Sequence, residues 1–301
     1  MEIKQTKLNH YLHIMEKKLS GRYVKYLLSK NDIKGYYAFQ YKCERHKKLD
    51  FEHPKDLAEI WISKYLSGYF DRYYYLADKY EVRKFVEERI GRSYLINLLG
   101  VWDRTEEINF SVLPNQFALK VNFGSKMNLI CTDKKTLNID EAIKTLNNWM
   151  AVEHYSLSEH HYDKIPHKLV CEEFIQDNHG GFPIDYKFMC FHGRPYCILA
   201  CGSREKGEPT YTPYTLDWKP VKEYRKDGHY EDITKPTNLD KMIEIAKKLS
   251  NGFDLMRVDL YDTGEKILFG EMTLTPTSCL FSEWTQMALD DMGKVYRNEY
   301  N

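Results

Sequence analysis

The sequence has no excess of charge of either sign, no CxxC pair, no run of about 18 apolar residues and no internal repeat. Forty-four basic residues are balanced by 44 acidic ones, so no whole-molecule field draws the chain toward nucleic acid or an anionic membrane. Any anion must therefore be held locally. Seven cysteines, at 43, 131, 171, 190, 197, 201 and 279, make an odd set without metal-ligand spacing. This argues against a disulfide framework or a thiolate zinc site and fits a reducing compartment. The N-terminal "MEIKQTKLNHYLHIMEKK" lacks the apolar core of a signal peptide, and a soluble cytoplasmic protein is expected. The 301 residues can hold one large domain or two to three small lobes, since single cores rarely grow beyond roughly 250–300 residues.

Residues 1–78 are rich in Lys and Tyr, and their apolar spacing suits helices. The stretch "DKYEVRKFVEERIG" predicts a short helix with Asp78 as N-cap, Val82, Phe85, Val86 and Ile90 on one face, and Gly91 as the stop. From about residue 95 the period changes. "YLINLLGVW", "FALKVNF" and "SKMNLICTD" read as strands, "NIDEAIKTLNNWMAVEHY" as a helix and "HKLVCEEFI" as a strand. "PIDYKFMCFHGRPYCILACGSR" predicts a hairpin folded at "HGRP". "NLDKMIEIAKKLSNG" is a helix closed by Gly252, and "LMRVDLYDTGEKILFGEMTL" is a second hairpin.

Several polar residues interrupt these apolar runs. Lys120 lies inside "FALKVNF", where an ammonium is costly to bury unless an anion meets it. A phosphate would serve, and "NFGSK" supplies Gly124 and Ser125 in a turn whose N–H groups could close over phosphate oxygens. An ordinary hairpin turn is the alternative. In "VCEEFI" one of Glu172 and Glu173 is expected to face solvent and the other could accept hydrogen bonds from a ligand, with a plain exposed strand end as the favoured reading of the pair by itself. Alternation in "DYKFMCF" places Asp185 and Lys187 on one face, either as a plain ion pair or as part of a site that Arg204 could join. The final hairpin is the strongest local signal: Arg257 with Asp259, and Glu271 with Thr273, converge if the two strands pair. Two carboxylates so placed suit Mg²⁺, a hard cation that prefers oxygen ligands, with an Arg257 salt bridge as the alternative. His154, His160, His161 and His167 match no zinc signature and read as a polar surface segment. "YFDRYYY" reads as helix packing, with an aromatic ligand platform as the alternative.

Taken in order, these pieces are Lys79 before a helix, Lys120 with its Gly/Ser loop, the Glu172–Glu173 pair, D-x-K, R-x-D and E-x-T-x-x-P. The sequence resembles the ATP-grasp superfamily, most closely its TupA-like branch, associated with teichuronopeptide and surface polysaccharide biosynthesis. The resemblance runs from about residue 51 to about 285 and rests on "ADKYEVRKFVEERIG", "LLGVWD", "LPNQFALKVNFGS" and "MRVDLY". It implies an α+β fold in which two α+β subdomains grip ATP, preceded by a largely helical N-terminal region. The expected division is 1–78 helical, 79–115 the first part of the core, 116–178 the small ATP-binding subdomain and 179–301 the large subdomain with the metal site.

By the same resemblance Lys79 and Lys120 hold ATP phosphates under the loop containing Gly124 and Ser125, and Glu172, Glu173 and Ile175 form the hinge that reads adenine. Asp185 is a ribose or outer partner, Lys187 and Arg204 surround the transferred phosphate, and Arg257 steadies an acyl phosphate. Asp259 and Glu271 hold Mg²⁺, with Thr273 where relatives commonly have Asn. The implied activity is an ATP-dependent carboxylate–amine ligase joining an amine or amino acid to a carboxylated sugar or peptide of a surface polymer. A kinase using the same site, a glycosyltransferase and a non-catalytic nucleotide-binding subunit are its rivals. No nucleic acid partner is expected, and the oligomeric state is open.

Overall fold

The computed structural model describes residues 21–153, 157–178, 180–203, 207–226 and 228–299. The chain forms two compact units, residues 1–54 and 55–301. In the first, residues 21–29 (α1) and Ile33–Arg45 (α2) are helical. Asp32 caps α2 by accepting the Gly35 N–H at 2.8 Å, and Tyr23 packs edge-on against Phe39 between the two helices.

The second unit opens with α3 (Leu57–Leu66), which begins in a capping box: Asp56 accepts the Glu59 N–H while Glu59 accepts the Asp56 N–H. Trp61 of α3 is fully buried and donates its indole N–H to the Leu274 carbonyl at 2.6 Å. A 3₁₀ segment, Tyr69–Leu76, follows, with Tyr69 and Tyr73 in edge-to-face aromatic contacts that reach Phe253, as expected for packing. Asp78 then accepts the N–H groups of Tyr80 and Glu81 and starts α4 (Val82–Ile90), and Gly91, at φ 103°, ends it.

Two antiparallel sheets carry the rest. The smaller contains β1 (Leu98–Trp102), β2 (Phe117–Val121), β3 (Asn128–Cys131) and β4 (Leu169–Glu173) in the order β1-β4-β2-β3. The larger contains β5 (Asp185–Phe191), β6 (Arg194–Gly202), β7 (Thr210–Thr215), β8 (Leu255–Asp262) and β9 (Ile267–Thr273) in the order β7-β6-β5-β8-β9. Helix α5 (Ile139–Met150) lies between β3 and β4 in the chain and packs on β2, and α6 (Leu239–Ser250) packs across β5, β6 and β8. Helix α7 (Gln286–Tyr296) lies against α3, with Gly293 so close to the Lys55 carbonyl that a Cβ would sit 2.1 Å from its oxygen. Strand β7 and helix α7 have no counterpart in the sequence reading above.

Both expected hairpins form. His192 and Gly193, at φ 49° and 73°, make the two-residue turn between β5 and β6. Between β8 and β9 a bulge intervenes: Leu260 faces Phe269, but Asp259 faces Glu271, which leaves Gly270 as the extra residue. A Cβ there would stand 3.0 Å from the Asp259 carbonyl oxygen.

The histidine segment departs from the expectation of a polar surface stretch. His154 lies outside the described residues. His160 is tied through one ring nitrogen to the Tyr65 hydroxyl and through the other to Asp71 at 2.9 Å. His161 is 1% exposed, and His167 stacks on Phe123 with ring centres 3.8 Å apart. Packing buries His161 and leaves His160 and His167 half-buried, which local spacing cannot foresee.

Candidate active site

One face of the large sheet is strongly polar. Asp259 on β8 stands opposite Lys187 on β5 and Glu271 on β9, and Arg257 stands opposite Thr273. With period-two alternation this brings Asp185, Lys187, Arg257, Asp259, Glu271 and Thr273 to the same side, while Phe188, Cys190, Val258 and Leu260 go to the α6 side. Lys187 donates to Asp185 at 2.5 Å and to Asp259 at 2.8 Å. Arg257 grips Asp259 with two bonds, Nε to Oδ1 and Nη2 to Oδ2, each 2.7 Å, and lies 4.0 Å from Glu271. Thr273 donates to Glu271 Oε1 at 2.8 Å.

Burial opposes charge on Asp259, yet Arg257 and Lys187 outweigh it and hold the carboxyl below its usual range. Burial works likewise against the Lys187 ammonium, and Asp185 with Asp259 keeps it above the ordinary value for lysine. The ion pairs foreseen as alternatives therefore form. Each carboxylate oxygen has a second lone pair, so they leave coordination capacity on Asp259 and Glu271. Among the described residues no three His, Cys, Asp or Glu side chains form a metal cluster. The donors are two carboxylates and the Thr273 hydroxyl, an all-oxygen set that fits Mg²⁺ better than zinc.

The small sheet and the start of α4 supply further cations. Lys120 meets an anion as burial requires, but a protein carboxylate: Glu172 Oε2 lies 2.5 Å away, and Glu172 Oε1 accepts from Arg83 at 2.8 Å. Arg83 also donates to the Ile96 carbonyl at 2.8 Å. Glu172 is thus the buried acid of the pair, and Glu173 is the exposed one, accepting from Asn97 at 2.9 Å.

Lys79 is placed by its own backbone, whose N–H donates to the Asn122 carbonyl at 2.8 Å. Asn122 is fully buried: its amide donates to Asp78 at 2.9 Å and to the Pro166 carbonyl, and it accepts the Lys168 N–H. The Lys79 ammonium caps the loop, donating to the Phe123 and Gly124 carbonyls at 3.3 and 2.6 Å. Burial lowers its pKa to about 8; Lys120 pushes the same way and Glu271 partly offsets both. In the loop Gly124 has φ 66° and Ser125 is exposed.

Between the two sheets lies a slot of about 110 Å³. The small sheet lines it with Ala118, Lys120, Ile130 and Glu172, and the large sheet with Tyr261 and Gly270. Glu173, Phe174, Ile175, Phe182 and Pro183 close one side. An apolar slot with backbone at its edge and a lysine and a glutamate in its wall can take a flat heteroaromatic ring. Arg204 lies outside the described residues.

The sequence reading singled out neither Arg83, which lies in α4, nor Glu159, which lies within the histidine segment. Glu159 sits at a kink (φ −144°) in the 3₁₀ stretch Leu157–Lys164, half-buried and hydrogen-bonded to Thr275. Burial, reinforced by the charge of Glu271, raises its pKa to about 7.

The family model of TupA-like ATP-grasp proteins matches residues 61–293. The chain belongs to this ATP-grasp family. The match runs from Trp61 of α3 into α7 and includes the slot, both sheets and every site residue named above. Among solved structures, this TupA-like ATP-grasp chain is similar to D-alanine–D-alanine ligase from Bacillus anthracis, at 16% identity over 75% of this chain and 70% of that one, with a TM-score of 0.42. It is also similar to D-cycloserine synthetase DcsG, at 13% identity over 87% and 94% of the two chains with a TM-score of 0.42. For the ATP-grasp ligase PsnB complexed with minimal precursor the figures are 10%, 80% and 68%, and 0.41. At these scores the structural likenesses add no weight to the family match. No protein with a curated description matches the chain. Among the described residues, no helix is long and apolar enough to cross a membrane.

Proposed function

We propose that this TupA-like ATP-grasp protein is an ATP-dependent carboxylate–amine ligase. The observation that carries the reading is the cross-strand row Lys187–Asp259–Glu271 with Arg257 and Thr273 beside it, on the sheet that lines, together with Lys120 of the small sheet, a slot suited to a base. The slot takes adenine, edged by the backbone of Glu173 to Ile175, and Asp185 supports the ribose side. Lys79 and Lys120 bind the phosphates: Lys120 exchanges Glu172 for phosphate oxygens, and Lys79 leaves the loop carbonyls, freeing the Gly124–Ser125 turn to close.

Asp259 and Glu271, helped by Thr273, would hold Mg²⁺, which when bound supplies positive charge between phosphate oxygens. Lys187 and Arg257, and by family resemblance Arg204, neutralise charge on the transferred phosphoryl group. In the first step an oxygen of the acceptor carboxylate bonds to the γ-phosphorus as the bond to the β–γ bridging oxygen breaks, which yields ADP and an acyl phosphate. In the second, an amine adds to the acyl carbon and phosphate leaves with the electron pair of the C–O bond, while the amine loses a proton. Arg257, rigidly held by Asp259, is placed to stabilise the oxyanion between these steps.

The finer reading takes the acid to be a uronic acid or peptide carboxylate of a bacterial surface polysaccharide precursor. The TupA-like family match supports it. Purified protein with ATP, Mg²⁺ and panels of uronic acids and amines is expected to release ADP, and Glu271→Gln to abolish the release. Absence of ADP release with every pair overturns the assignment.

A further inference from the structure

Beside the slot lies a second, roomier cavity of about 590 Å³. One wall is α4 with the turn before it, along which Tyr80, Arg83, Lys84 and Glu87 recur at helical spacing. Gly91 turns the chain back, and Arg92 with the residues Leu95 to Leu98 forms the opposite wall on the way into β1. Ile96 lines the cavity and the slot alike, so the two are neighbours.

The lining sets three cations, Arg83, Lys84 and Arg92, against two acids, Glu81 and Glu87. Lys84 and Arg92 are exposed, and among the described residues neither forms an ion pair. Arg83 is half-buried where the two spaces adjoin, donating Nη1 to Glu172 Oε1 and Nη2 to the Ile96 carbonyl, each at 2.8 Å. A space of this volume holds a sugar ring. The Tyr80 hydroxyl, the Asn97 amide and the two carboxylates can serve its hydroxyl groups, and the excess of cations calls for an acidic substituent.

Glu172 links the cavity to the slot. It is buried and serves two cations through separate oxygens, Arg83 at Oε1 and Lys120 at Oε2, the latter 2.5 Å away. A nucleotide phosphate that takes Lys120 leaves Glu172 to Arg83 alone. An anion that takes Arg83 leaves it to Lys120 alone. Both together would strand a buried carboxylate without its countercharges, which is costly.

We propose that this cavity is an inhibitory site for an anionic sugar, either a sugar acid or a sugar phosphate, and that its occupant opposes nucleotide binding through the shared Glu172. The inference rests on the nucleotide reading of the slot and adds its regulation. The opposition is reciprocal, so nucleotide weakens the sugar by the same factor as the sugar weakens nucleotide.

Calorimetric titration of the full chain with ADP and Mg²⁺ at constant ionic strength, with and without glucose 1-phosphate or glucuronate, reads this coupling. An anionic sugar is expected to raise the Kd for ADP by about fivefold or more, and the more effective of the two identifies the acidic group as phosphate or carboxylate. Neutral glucose leaves the Kd unchanged. Combined Lys84→Ala and Arg92→Ala substitutions, both at exposed positions outside the slot, abolish the rise while ADP alone binds as it does to the parent. Glu172→Gln keeps the cavity and loses the coupling. An equal rise in the parent and the double variant puts the anion on the nucleotide site itself and overturns the proposal. So does an equal rise with glucose, a rise undiminished by Glu172→Gln, or no rise in the parent. Each of these results leaves ADP binding, and with it the nucleotide reading, intact, whereas a parent that binds no ADP overturns both.

Discussion

Replacing Glu172 by Gln separates what the fold spends on this residue from what the nucleotide site gains. Its side chain is 7% exposed and bridges Lys120 and Arg83, which are themselves 19% and 16% exposed. Breaking a buried ion pair costs about 3–5 kcal/mol because the surviving charge is left uncompensated. Glutamine keeps the volume and one acceptor, and both cations retain some water, so the cost falls at or just below the bottom of that range, about 2–3 kcal/mol. At roughly 2–4 °C per kcal/mol for a unit of this size, Tm falls by roughly 4–12 °C. If Lys120 is a phosphate ligand temporarily satisfied by Glu172, a polyanion without adenine will bind the variant better than the parent. An affinity gain of about fivefold corresponds to roughly 1 kcal/mol of extra stabilisation at saturation. Thermal unfolding of both proteins with and without tripolyphosphate reads these quantities. A Tm drop under about 1 °C would refute the buried-network argument, and equal stabilisation by tripolyphosphate would refute the exchange of carboxylate for phosphate at Lys120.

His161 is buried, and burial, followed by the charge of His160, lowers its pKa to about 3 from a usual 6.5. The folded state keeps this ring neutral while the unfolded chain protonates below 6.5, so its contribution is intact above that pH and is lost as pH falls toward 3. The slope is about 1.4 kcal/mol per pH unit, and urea unfolding at pH 7 and 5.5 should show His161→Leu losing about 1.4 kcal/mol less than the parent; parallel losses exclude the assignment. Thr273→Asn supplies a stronger neutral oxygen ligand beside Glu271. The Mg²⁺ concentration for half-maximal nucleotide binding should fall by roughly fivefold, about the worth of one good polar contact, and a rise would show that the Thr273–Glu271 hydrogen bond matters more.

Much of this arrangement was legible in the linear pattern. The helix after Asp78, the strands around Lys120 and Glu172 and the two hairpins follow from apolar periodicity and turn residues, which act over a few positions. The pairing partners did not follow. Lys120 announced a need for an anion, but only the small-sheet register, with Ala118 opposite Glu172, shows that a glutamate also held by Arg83 supplies it. Arg83 carries no local signal because its partner lies 89 residues away. The histidine segment was misread for a related reason: polarity within a short window says nothing of the elements that cover it.

By itself the sequence determined the inventory of the site: four cations, Lys79, Lys120, Lys187 and Arg257, with their acids at strand positions whose two-residue spacing commits each set to one face. It also determined the family, through the order of those short motifs. The tertiary structure decided which faces meet. In a straight continuation of the β8–β9 hairpin from the Asp262–Ile267 pair, Asp259 would lie opposite Gly270; the bulge inserts one residue and brings Glu271 there instead. That one-residue offset turns Glu271 and Thr273 onto the side of Asp259 and Arg257. Tertiary packing likewise fixes His160, whose ring is held by Tyr65 and Asp71 from a distant part of the chain.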